Sequence, residues 1–112
     1  MGSQIRVYRN EDLQRVVAFI PRGHLHVRLL LEFSDGLRIV LQEASVSAIT
    51  RAFLDVVLHP RRRAVELVLS RVDEGRKPGY ARYQLIESGR AEEEVLSYVE
   101  EVLGEEVEKG VG

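Results

Sequence analysis

The stretch His24-Leu25-His26-Val27-Arg28-Leu29-Leu30-Leu31-Glu32-Phe33-Ser34-Asp35-Gly36-Leu37-Arg38-Ile39-Val40-Leu41 decides the fold. From His24 to Phe33 an apolar side chain recurs at every second residue (Leu25, Val27, Leu29, Leu31, Phe33), which on a pleated strand puts them all on one face. The opposite face carries His24, His26, Arg28, Leu30 and Glu32. Ser34-Asp35-Gly36 predicts a tight turn, with Gly36 free to take a positive φ, after which Leu37, Ile39 and Leu41 resume the alternation. The prediction is a hairpin with one oily face.

A helix follows without filler. Ser45 or Ser47 is placed to cap it, Val46, Ile49, Phe53, Val56 and Val57 recur at helical spacing, and His59-Pro60 stops it. On this reading the helix lays its Val/Ile/Phe stripe over the oily face, leaving an open sheet face with His, Arg and amphipathic groups.

Upstream, Gln4 to Arg9 alternates as a short strand, Ile5 and Val7 against Arg6 and Tyr8. Residues 11–20 carry two signals. Asn10 before Glu11-Asp12, with Leu13, Val16, Val17 and Ile20, fits a capped helix. Val16-Val17-Ala18-Phe19-Ile20 is rich in β-formers and Ile20 precedes Pro21, which favours an extended chain, and we read a strand. Downstream, Arg62 to Val72 and Tyr80 to Glu87 read as a second hairpin around Asp73-Glu74-Gly75-Arg76-Lys77-Pro78-Gly79. Ser88 then caps a last helix with the stripe Val95, Leu96, Val99, Val102, Leu103, Val107. The expected fold is α+β: one domain, residues 1–112, with an antiparallel sheet of five or six strands and two main helices on one face.

At 112 residues, 45% hydrophobic and 30% charged, the chain is long enough for one core and too polar for a membrane protein. The N-terminal residues lack the apolar run of a secretory signal and cysteine is absent, which predicts a cytoplasmic chain without disulfides or thiolate metal sites. Lys77 and Lys109 are the only lysines and Asn10 the only asparagine, a usage compatible with a thermophile or with GC-rich DNA. Net charge is −2, but its distribution is uneven: His59 to Tyr83 is basic and Ala91 to Gly112 acidic.

Chemistry-bearing patterns are few. His24 and His26 share a strand face at a spacing that lets two imidazoles meet one ion, but a third ligand would have to come from His59 or Glu32 through tertiary contact, so solvated or stacking histidines are expected instead of a metal site. No serine sits in a nucleophile elbow, and Gly75, Gly79 and Gly89 do not form a phosphate loop. The expectation is a protein that is not an enzyme and uses no cofactor, metal or small-molecule substrate. In the basic middle, Arg76, Lys77, Tyr80, Arg82 and Tyr83 interleave cations with aromatics, a pattern suited to phosphates and unpaired bases; a charged hairpin rich in ion pairs is the competing reading. Arg61-Arg62-Arg63 has the same duality, as a phosphate clamp or as a solvated strand entry near the C-terminal dipole of the preceding helix.

The segment His24 to Leu29, then Ser34 to Leu41, running directly into Val46 to Leu58, resembles the strand-and-helix unit of the Whirly and positive-cofactor-four group of single-stranded DNA-binding proteins. In size, arginine usage and order of elements the chain also resembles the small archaeal single-stranded DNA-binding proteins called ThermoDBP. It departs from the first group in lacking lysine-rich strands and in having two strands, where a Whirly repeat has four, in its second half. The resemblance implies binding of single-stranded DNA or RNA by a sheet face of a homo-oligomer. The residues expected to contact nucleic acid are Arg28, Arg38, Arg61, Arg62, Arg63, Arg76, Lys77, Tyr80 and Arg82. Leu30, Val40 and Val68, apolar residues on outward faces, point to a homodimer or higher oligomer, the alternative function being an assembly module with no nucleic-acid ligand.

Overall fold

A computed structural model describes residues 5–71 and 83–108, the last four of these by backbone alone. The loop from 72 to 82, which holds Arg76, Lys77, Tyr80 and Arg82, lies outside the described residues.

A 3-10 turn, Asn10–Asp12, leads into strand β1 (Leu13–Phe19), then β2 (Arg28–Phe33) and β3 (Arg38–Gln42). Helix α1 (Glu43–Leu58) follows, then β4 (Leu67–Arg71), β5 (Tyr83–Glu87) and helix α2 (Glu92–Glu108). The fold is α+β and antiparallel, but the five strands form two sheets, β1-β2-β3 and β4-β5, where the sequence predicted one. At the junction of the halves a helix side chain reaches the second sheet: Arg51 Nη2 of α1 donates to the Leu85 carbonyl of β5 at 3.1 Å.

The strand reading of 11–20 and the hairpin turn both hold. Val16 pairs with Leu31, which pairs with Ile39, and Ala18 with Leu29, which pairs with Leu41, so one face of the three-stranded sheet is aliphatic across all strands. Gly36 has φ +92°, its amide donates to the Phe33 carbonyl at 2.9 Å, and Asp35 Oδ1 accepts from the Leu37 amide, also at 2.9 Å.

Several boundaries move because side chains claim backbone amides. The strand predicted from His24 begins at Arg28, since the Val27 amide donates to Glu43 Oε1 at 2.7 Å instead of to a neighbouring strand. Leu25, outside the ladder, is 87% exposed. Residues 5–9 form no strand; they are held by side chains, with Tyr8 stacked on Phe33 at 4.0 Å and the Tyr8 hydroxyl and Arg6 guanidinium both donating to Asp35. β4 starts at Leu67 and not at Arg62, because Glu92 Oε2 accepts from the Arg63 and Ala64 amides at 2.7 and 3.1 Å. Ser45 and Ser47 lie inside α1, which begins at Glu43. Ser88 accepts from the Arg90 amide, and Glu94 Oε1 from the Ala91 amide, at the start of α2.

The largest correction concerns α1. Its stripe covers the sheet only in part: Ile49, Phe53 and Val57 are 55%, 62% and 57% exposed, while Ala48 is buried and Ser45, Val46, Ala52, Asp55 and Val56 are half-buried. The helix therefore faces β2, β3 and β5 largely with small side chains. Among the described residues only Ala48 and Val95 are buried hydrophobics.

Glu43 joins sheet to helix. Besides the Val27 amide it holds His26, whose Nδ1 stands 3.1 Å from Oε2, and these two contacts, the amide first, keep the Glu43 carboxyl below the usual glutamate range. A carboxyl whose folded-state pKa is depressed stabilises the fold fully above its unfolded pKa and loses that contribution as pH falls through the folded value. Glu43→Gln, which mimics the protonated side chain, should lower the melting temperature at pH 7. The gap to wild type should close as the pH falls below the ordinary carboxylate range; thermal melts across that range check it.

Candidate nucleic-acid interface

The residues expected to contact nucleic acid fall in different settings. Arg38 projects from β3, where its Nε lies 3.0 Å from Glu32 Oε2, and Arg15 of β1 takes the other oxygen of the same carboxylate at 3.1 Å. The sheet register explains this triad: Arg15, Glu32 and Arg38 stand in one cross-strand row on neighbouring strands. The next row on that face is Val17, Leu30 and Val40, and the one beyond is Phe19, Arg28 and Gln42. The open face is thus an ion-pair row, an apolar row and a mixed row. Arg28 stands in the last of these, half-buried.

The Arg61–Arg63 segment is a corner beyond the C-terminal end of α1. The Arg62 amide donates to the His59 carbonyl at 3.0 Å, closing a turn through Pro60. Arg62 folds inward and pairs with Glu87 Oε2 at 3.0 Å. Arg61 and Arg63 are exposed, and neither makes an ion pair among the described residues. Glu92 sits beneath them, in an open hollow lined by His59, Arg61 and Arg62. The Arg63 and Ala64 amides, with help from the Arg62 and Arg63 charges, hold its carboxyl below the usual range, so it stays ionised at neutral pH. The corner therefore sets the guanidinium groups of Arg61, Arg62 and Arg63 against the carboxylates of Glu87 and Glu92, with Arg61 and Arg63 exposed at its rim.

His26 Nδ1 stands 3.1 Å from Glu43 Oε2, and no group of three or more His, Asp or Glu suited to a metal occurs among the described residues. Among those residues no helix is long and apolar enough to cross a membrane. Sequence reasoning missed the cross-strand partners of Leu30 and Val40 and the sharing of Glu32 by Arg15 and Arg38. The register of β1 was the missing signal, since a one-residue slip would have sent those side chains to the other face.

The Glu32 triad gives a direct test of how these arginines are used. Glu32→Gln leaves Arg15 and Arg38 without their counter-charge, and the variant should elute from a heparin column at higher salt than wild type. Equal elution would mean that neither guanidinium reaches a polyanion.

No family model, curated protein or solved structure matches the chain.

Proposed function

We propose that this chain is a non-catalytic module that binds single-stranded nucleic acid, DNA or RNA, and works as a homo-oligomer in the cytoplasm of a thermophilic cell. The observation that supports the binding most directly is the Arg61–Arg63 corner, where Arg62 secures the turn to Glu87 and leaves Arg61 and Arg63 exposed. Cations held on a fixed turn neutralise phosphates at a lower entropy cost than cations on a mobile tail. In sequence the corner leads through β4 to the Arg76-Lys77-Tyr80-Arg82 segment, which adds cations and a ring on which a base can stack.

A second reading, an assembly module without a nucleic-acid ligand, has its own support. Arg6, Arg15, Arg38, Arg62 and Arg90 all pair with carboxylates of the same chain, which is how arginines serve a surface ion-pair network.

Fluorescence anisotropy with a labelled oligo-dT and the matching oligo-U at two salt concentrations separates these readings. Wild type should bind at low salt and weaken as salt rises, with duplex DNA binding less well. Arg61→Ala/Arg63→Ala should bind more weakly and lose about 1.4 from the salt slope, at roughly 0.7 per lost single-strand phosphate contact. Tyr80→Ala should cost roughly 1 to 3 kcal/mol of affinity with the slope unchanged. Absence of binding by wild type at low salt, or an unchanged slope in the double variant, rejects the nucleic-acid reading at this corner.

A further inference from the structure

We infer that the outward face of α1 seats a second copy of this chain, the two helices crossing about a two-fold axis that passes near Phe53. The inference rests on the oligomer half of the proposed function and is independent of the nucleic-acid half.

The amphipathic character of α1 is inverted relative to the sheet it touches. Its inner side offers Ser45, Ala48, Ala52, Asp55 and Val56, whereas Ile49, Phe53 and Val57 lie along one outward ridge and are each more than half exposed. From their fractional exposures these three side chains present on the order of 350 Å² of apolar surface, a little under half of the roughly 800 Å² per partner that a standard interface buries.

A second copy, and not a different protein, fits this face for reasons of charge and symmetry. α1 carries Glu43, Arg51 and Asp55 as its only charged residues. Glu43 is bound to Val27 and His26, Arg51 to the Leu85 carbonyl, and Asp55 is half-buried on the inner side. None stands on the Ile49–Phe53–Val57 ridge, so the same ridge from another protomer meets it without like charges opposed. An isologous contact requires that residue i meets j and j meets i. With Phe53 at the axis, Ile49 faces Val57 of the other copy and the reverse. Spacing of four residues makes the ridge an i±4n row, and two such rows interdigitate at a crossing angle of about −50° with axes roughly 8–10 Å apart. This is a globular helix crossing, not a coiled coil.

Sedimentation equilibrium of the full chain at about 50 µM should give twice the 12.7 kDa chain mass, and Phe53→Glu should return it to the monomer mass with its circular dichroism preserved. Because the chain has no cysteine, the register is testable even if that variant does not fold. Under mild oxidation a mixture of Ile49→Cys and Val57→Cys chains should form several-fold more disulfide-linked dimer than either variant alone, and Val40→Cys, on the open sheet face, should form little. A monomeric wild type overturns both the inference and the oligomer half of the proposed function. An oligomer whose mass survives Phe53→Glu, or one that crosslinks through Val40 and not through the 49/57 mixture, overturns the α1 contact alone. Oligonucleotide binding, read separately, reports only on the other half.

Discussion

Ordering a backbone costs on the order of 1 to 2 kcal/mol per residue, and removal of apolar surface from water is the main term that offsets it. Here that term is small within the chain. Among the described residues Ala48 and Val95 are the buried hydrophobics, whereas residues as large as Phe53, Leu58 and Leu69 stand mostly in solvent. The aliphatic rows of β1-β2-β3 are only half covered, and the β4-β5 pair is a two-stranded sheet of a kind that is marginal alone. Local order is instead fixed by carboxylates that accept backbone amides: Asp12 from Arg9, Asp35 from Leu37, Glu43 from Val27, and Glu92 from Arg63 and Ala64. These bonds specify where elements begin and end. They are exposed, and they do not replace a core.

How much of this was legible follows from what periodicity encodes. Alternation at Leu29, Leu31, Ile39 and Leu41 reads the hairpin correctly, because a pleat puts such residues on one face regardless of what covers them. The strand at Leu13–Phe19 was legible from its β-branched run against a competing helix signal. The single-sheet expectation failed because hairpin patterns carry no information on whether two hairpins share an edge. The α1 stripe misled in part for a related reason: helical spacing identifies an apolar face, not the surface it packs on, and here Val46 and Val56 are half-buried with the alanines while Ile49, Phe53 and Val57 are exposed. The strand starts at His24 and Arg62 were overrun because Glu43 and Glu92, distant in sequence, take the amides a ladder would need. Of the candidate interface, the arginine run after Pro60 was legible as a basic cluster, but its turn was not, since a strand was expected from Arg62. That Arg62 is internal to the turn while its neighbours are exposed depends on Glu87, which sequence spacing does not connect to it.

The electrostatics have a common pattern. Most of the described ion pairs join segments that are far apart in the chain, Arg6 to Asp35, Arg62 to Glu87 and Arg90 to Glu66. Individually such exposed pairs contribute little, and salt screens them further. Their arrangement still matters: among the described residues Arg6, Arg15, Arg38, Arg62 and Arg90 are paired with carboxylates, whereas Arg61 and Arg63 make no ion pair.

β3 ends at Gln42 and α1 begins at Glu43, with no residue between them to act as a hinge. The helix is a rigid extension of the strand, its first turn pinned to Val27 at the foot of β2. Torque applied to the helix passes straight into the sheet, and the angle between the two is set by bonded geometry at a single peptide unit. Any larger structure built on that helix would inherit its pitch from this joint, so lengthening the junction by one residue would rotate the helix by about 100° and re-aim everything attached to it, without altering a single side chain.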